Sequence, residues 1–187
     1  LSRALDAKVA DHATVTSVFF ARNGDAIIAA ARTIATTYRT GGRMFTMGNG
    51  GSSCDAAHLA VEFQHPVTTG RPALTAIDLS ADRTMLTAVA NDVGDCLIGL
   101  STSGNSQNLV RAFQKAREIG LTTIGLAGMS GGEMASLGLD HCLVVETDSI
   151  HRIQEVHVTL YHILWDLVHA LLADDRGGLN LLPSTPG

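Results

Sequence analysis

The chain has 187 residues, of which 45% are hydrophobic and 17% charged, and it carries a net charge of −5 with histidine counted as neutral. That length is enough to bury a full core in one domain. The acidic balance argues against a protein that grips nucleic acid by neutralising phosphates, and aromatic residues make up only 4%, so small aliphatic side chains carry the packing.

No apolar run reaches the roughly 20 residues of a bilayer span, and no secretory signal opens the chain; no membrane association is expected. The three cysteines, Cys54, Cys96 and Cys142, are far apart and form no CxxC pair. That spacing favours reduced core thiols in a cytoplasmic protein over a cysteine metal site.

In chain order, Leu1 to Phe20 places Leu5, Val9, Val15 and Val18 at mixed three and four spacing and predicts an amphipathic helix. Asp25 to Tyr38 predicts a second, ended by Gly41 and Gly42. From Arg43 the rhythm changes. The runs RMFTMG, LTAID, CLIGLS, TTIGLA and HCLVVE read as strands. Helical segments over Ser53–Gln64, Asp82–Ala90 and Asn105–Ile119, and a short one near Met134, separate them. A long helix from Ile150 to about Leu172 closes the chain. Apolar strands alternating with helices predict an α/β fold: a five-stranded parallel sheet flanked by helices. The organisation expected is one domain over 1–187: an N-terminal helical segment over 1–42, the α/β core and last helix over 43–174, and a poorly ordered tail over 175–187.

Ligands of an open parallel sheet bind beyond the carboxyl ends of its strands. Two of those ends are unusual here, Gly48-Asn49-Gly50-Gly51-Ser52-Ser53 and Ser101-Thr102-Ser103-Gly104-Asn105-Ser106. Each leads into a helix, whose first N–H groups are free and partly positive. Hydroxyls and a helix N-terminus hold phosphate without Lys or Arg, and the second loop is the better cradle. Ser, Asn and Gly are also ordinary capping residues. The first loop further approximates a dinucleotide fingerprint, with Asp78 as the ribose acid, although Asp78 stands further along than the usual ~20 residues.

His58 and Glu62 are four apart and share a helix face. Their neighbours Ala56, Ala57, Leu59, Ala60, Val61 and Phe63 are apolar nearly all round, which predicts a buried helix. A buried His–Glu pair suits either general-base chemistry or a structural contact. The last helix carries His151, Gln154, Glu155, His157, His162 and His169 among apolar residues. His151, Glu155 and His162 fall along one stripe, with Gln154 beside it; histidines in such a helix are more often structural.

The stretches GNGGSSCDAAHLAVE, LTAVAND, GLSTSGNSQNLV, GGEMA and RIQEVHVTLYHIL run in order from about Arg43 to Leu172. On these motifs the chain resembles the sugar isomerase (SIS) domain family, and within it the phosphoheptose isomerases. The resemblance implies interconversion of sedoheptulose 7-phosphate and D-glycero-D-manno-heptose 7-phosphate through an enediol, in a homotetramer with active sites at subunit contacts. It implies that Ser101, Thr102, Ser103 and Ser106 grip the phosphate. Asn49, Gly50, Gly51, Asn91, Asp92 and Gln154 contact the sugar, as does Glu62. Glu62 moves the proton between C1 and C2, and His162 is the complementary acid/base. It further implies one zinc per subunit on His58, Glu62, Gln154 and His162. Gln154 and His162 are eight residues apart, about 12 Å along a helix, so both must lean inward to share one ion. His157, between them, is assigned a supporting role.

The chain departs from the family pattern in three places. NDVGDCLIGL runs straight through where family members carry roughly another helix, so the segment between Asp92 and Asp95 is shortened or missing. FQHP, Phe63 to Pro66, replaces a stretch ending in an arginine near the substrate, and Arg71 is the nearest arginine. His151 stands where a polar or acidic residue is common. Two other readings stay open: a non-catalytic SIS protein that binds a replication initiator, and an isomerase or sensor of another sugar phosphate. The non-catalytic relatives lack the Glu and the last His, which this chain has as Glu62 and His162.

Overall fold

The computed structural model describes residues 1–80 and 94–174. The helix expected over 82–90, the Asn91–Asp92 pair and the tail from 175 lie outside the described residues. Helix α1 spans Ser2–Arg39, strand β1 Met44–Gly48, helix α2 Gly51–Gln64 and strand β2 Ala76–Asp78. Strand β3 spans Cys96–Ser101, helix α3 Gln107–Glu118, strand β4 Thr122–Gly128, helix α4 Gly132–Ser136, strand β5 His141–Val145 and helix α5 Ile150–Asp174. All five expected strands form one sheet in the order β2-β1-β3-β4-β5, and every pairing is parallel.

Alternation along the strands sorts the core into two layers. Met44, Cys96, Ile98, Leu100, Ile124 and Leu126 face α1, α2 and α5. Phe45, Met47 and Leu97 face the other way, against Leu109 and Phe113 of α3 and Met134 of α4. Both faces of the central strands are covered, so β1 and β3 are buried at every position. The chain goes from β1 to one side for β2 and returns to the other side for β3, which makes the carboxyl ends of β1 and β3 the switch point of the sheet. Both of the unusual loops lie there.

The two expected N-terminal helices are one. Nothing between Phe20 and Asp25 breaks a helix: Gly24 costs only about 1 kcal/mol against Ala, and Asn23 turns its amide back to the Phe19 carbonyl at 2.9 Å. The first ten residues of α1, Ser2 to Asp11, are exposed in the single chain, and its buried side begins at Phe19. Helix α5 is long and apolar enough to cross a membrane by length and composition, yet 61% of its most apolar window is buried in the fold. It packs along α1 and α2 as the central helix of that layer. The cysteines are free as expected, but only Cys96 is fully in the core, and Cys54 on α2 is exposed. Burial pushes the Cys96 and Cys142 thiols up, away from the thiolate.

Candidate active site

At the end of β3 the hydroxyl loop folds on itself. Ser101 Oγ accepts the Gly104 N–H at 3.1 Å and lies 3.0 Å from Ser106 Oγ. Asn105 N–H donates to Ser103 Oγ at 3.2 Å. Gly104 has φ +68°, and a Cβ there would run into the Gly131 carbonyl, so the loop is pressed against the start of α4. Ser106 precedes α3 without capping it through its side chain, which leaves the first N–H groups of α3 without a side-chain cap. Thr102, Ser103 and Ser106 are partly exposed. This is a concave set of hydroxyls and amides without cations, suited to a phosphate.

The loop after β1 stands beside it. Asn49 and Asn108 exchange amide hydrogen bonds at 2.7 and 3.0 Å, joining the first loop to α3. Asp78 accepts from the Ser80 N–H and hydroxyl at 3.0 and 2.6 Å, and Gly48 N–H donates to Ser80 Oγ at 3.2 Å. Asp78 is therefore engaged in closing its own turn, and the ribose-acid reading finds no support in its geometry. Gly51 opens α2 and has the Gln154 amide against it; a Cβ would collide with that side chain. The space beside Gly51, expected to face the sugar, holds a side chain of α5.

Two turns further along α2, three expected residues meet. Ligand atoms of His58, Glu62 and His162 all lie within 4.8 Å of one another. His58 Nε2 is 3.0 Å from Glu62 Oε1, and the His58 and His162 rings are 5.1 Å apart. The amide of the fourth expected ligand, Gln154, lies against Gly51. Helix α2 is not buried all round. Ser52, Ala56, Leu59, Ala60 and Phe63 are buried, while Cys54, Ala57 and Val61 are exposed. The side chain of His58 is 44% exposed and that of Glu62 18%. Small apolar residues fit an inner and an outer face equally well, so composition did not distinguish them.

Sequence reasoning missed Tyr161 and Trp165. The Tyr161 hydroxyl is 2.7 Å from His58 Nδ1, and its pKa is raised by burial and then by the charges of Asp55 and Glu62, so it stays a neutral phenol. Trp165 Nε1–H donates to the backbone carbonyl of Glu62 at 2.7 Å. Their only sequence signal was an aromatic next to His162 and the one tryptophan in the chain. Asp55, one turn before His58, has a buried Oδ2 with no hydrogen-bond partner among the described residues; burial raises its pKa against the opposing pull of His58.

The polar residues of α5 part company. Glu155 pairs with His12 of α1 at 2.6 Å and with Arg152 at 2.7 Å, so the expected stripe serves a helix contact at one end and the cluster at the other. His151 is exposed. His157 is fully buried, with Nε2 3.2 Å from the Ala127 carbonyl, and burial lowers its pKa to about 4. His169 lies against Trp165 and Phe63. Two histidines are thus structural and one, His162, belongs to the site cluster.

An open parallel sheet with a hydroxyl loop at its switch point is matched over residues 9–128 by the SIS domain family. The phosphoheptose isomerase of Pelodictyon phaeoclathratiforme is 43% identical over 169 aligned residues, covering 81% of this chain and 80% of the relative. That of Desulfovibrio desulfuricans is 39% identical over 192, covering 94% and 90%. The solved phosphoheptose isomerase of Neisseria gonorrhoeae superposes with a TM-score of 0.78 at 30% identity, over 90% of this chain and 98% of that one. The chain belongs to the SIS domain family, and within it to the phosphoheptose isomerases.

Proposed function

We infer that the chain is an aldose–ketose isomerase that interconverts sedoheptulose 7-phosphate and D-glycero-D-manno-heptose 7-phosphate. The observation that carries this reading is the meeting of Glu62 and His162 from two helices, within the same 4.8 Å cluster as His58, in a fold whose β3 end carries a hydroxyl-rich loop suited to a phosphate. In the proposed reaction Ser101, Thr102, Ser103, Ser106 and the N-terminus of α3 hold the phosphate, while Asn49, Gly50, Gly51, Asn91, Asp92 and Gln154 line the sugar. The Glu62 carboxylate takes the proton from C1 of the ketose, the C2 carbonyl gains one, and an enediol forms. His162 moves the proton between the two oxygens, and Glu62 returns its proton to C2 to give the aldose.

Two histidines and a carboxylate are a donor set that suits zinc, and the second nitrogen of His58 already has a phenol to orient it. His58, Glu62 and His162 would hold the ion, with Gln154 as the fourth ligand on turning away from Gly51. Bound zinc supplies Lewis-acid polarisation of the sugar oxygens. A homotetramer in the cytoplasm completes the reading. The exposed outer face of α2, with Ala57 and Val61, and the exposed Leu1, Leu5 and Val9 of α1 offer surface for subunit contacts, and free thiols suit a reducing compartment.

The test is incubation with sedoheptulose 7-phosphate and detection of the aldose. Glu62→Gln is expected to abolish turnover with an unchanged circular dichroism spectrum. Equal activity of wild type and E62Q would overturn the assignment.

A further inference from the structure

Each α-helical carbonyl accepts the N–H four residues on, and the last carbonyls must find other donors. At the end of α2, Val61 O accepts the His65 N–H at 2.8 Å, and Phe63 O accepts Leu74 N–H at 2.8 Å. The residue four beyond Glu62 is Pro66, which has no N–H to give. The Glu62 carbonyl takes its hydrogen bond instead from Trp165 Nε1–H, at 2.7 Å. Trp165 is 7% exposed, and its indole has this one donor.

The indole is itself held. The Arg71 guanidinium sits 4.4 Å from its ring centroid, and Arg71 Nη2 pairs with Asp166 at 3.1 Å. The Arg71 side chain is only 15% exposed, which strengthens a cation–π contact. The His169 ring lies 4.5 Å from the indole, and His169 Nε2 is 3.2 Å from the Pro72 carbonyl. The segment following α2 is therefore folded back onto the residue that anchors its last turn.

We propose that Trp165, pinned by Arg71, is a positioning residue for Glu62: its indole N–H replaces the donor that Pro66 removes and so fixes the last turn of α2 at the residue that carries the carboxylate. This rests on the reading of Glu62 as the proton-transferring group. A carboxylate that must reach C1 and then C2 is sensitive to displacement, since a misplacement of about 1 Å can cost on the order of 100-fold in rate. Trp165 reaches Glu62 through the backbone carbonyl and is not among the residues assigned to the sugar or the phosphate, so its loss is expected to act on the geometry of catalysis and not on phosphate binding.

The experiment uses the full chain with sedoheptulose 7-phosphate. Trp165→Phe keeps an aromatic face for Arg71 but removes the N–H together with the five-membered ring. It is expected to lower kcat by about tenfold or more with KM nearly unchanged, and to lower the thermal midpoint by several degrees while the fold persists at the assay temperature. Pro66→Ala, introduced into W165F, restores a backbone N–H four residues beyond Glu62 and is expected to recover a large part of kcat. A wild-type kcat in W165F overturns the proposal. So does a loss that P66A leaves unrescued, because that loss would come from packing. The Glu62→Gln variant, assayed alongside, separates the two ideas: an active E62Q sinks the role of Glu62 itself, whereas an inactive E62Q with unaltered W165F sinks only the anchor.

Discussion

The hydroxyl of Tyr161 lies 2.7 Å from Nδ1 of His58, and this pair is the middle rung of a ladder between α2 and α5. Gly51 meets Gln154, His58 meets Tyr161, and the Glu62 carbonyl meets Trp165, all at the same sequence offset of 103. The two helices run side by side in one register, which turns two separate sequence motifs into one wall of the site. Tyr161 occupies the histidine nitrogen that points away from Glu62, leaving Nε2 toward the cluster.

Removing that hydroxyl leaves Nδ1 unpartnered while the ring still fills its place. Tyr161→Phe is therefore expected to fold normally and, at the zinc site proposed above, to weaken binding by about 10- to 100-fold, the usual effect of losing a hydrogen bond behind a histidine ligand. Competition against a chromophoric chelator measures it. Equal zinc affinity in Y161F and wild type would remove Tyr161 from the site's support.

At the phosphate loop, Ser106 is the cleaner target, because Ser101 Oγ also accepts the Gly104 N–H and its loss would disturb the turn. Ser106→Ala removes a hydroxyl 3.0 Å from Ser101 Oγ. One hydrogen bond of about 1 kcal/mol predicts a KM higher by about fivefold with kcat preserved, since the phosphate is held equally in ground and transition states. Inorganic phosphate should lose potency as an inhibitor by the same factor. A fall in kcat at constant KM would contradict this placement.

Much of this architecture was legible because its signals are local. Five apolar runs gave five strands, and the hydroxyls of Ser101 to Ser106 marked a strand end before any sheet order was known. Helix continuity through Gly24 was not legible, because one glycine is too weak a breaker to decide between one helix and two. Nor was the outer face of α2, since Ala57 and Val61 look the same on either side. Tyr161 and Trp165 escaped because their roles depend on the register between two helices about a hundred residues apart. Pro66 was visible as a departure from the family, but its consequence, an orphaned carbonyl at Glu62, emerges only with Trp165 in place.

A side chain added at Gly51 would meet one movable obstacle. A Cβ there collides with the Gln154 amide, the flexible end of a side chain that can move. Gly51→Ala is expected to cost less than about 1 kcal/mol by urea denaturation, because the amide can swing aside. The same change made on top of Gln154→Ala should cost measurably less, because the obstacle is gone. Additive losses in this double-mutant cycle would show that the two residues do not press on each other.

His157 makes the fold acid-sensitive, and the sign follows from its burial. Burial holds its folded-state pKa down to about 4, below the ordinary histidine value of about 6.5, so between those values the unfolded chain binds the extra proton and the folded chain does not. Stability is therefore full above about pH 6.5, declines as the pH falls toward 4, and levels off below it. At one unit per 1.36 kcal/mol the contribution lost is about 3 kcal/mol. His157→Gln keeps a donor for the Ala127 carbonyl but does not titrate. Urea midpoints at pH 7.5 and pH 4.5 should therefore differ less in H157Q than in wild type, even if H157Q is somewhat weaker at pH 7.5. An unchanged difference would assign the acid sensitivity to other groups.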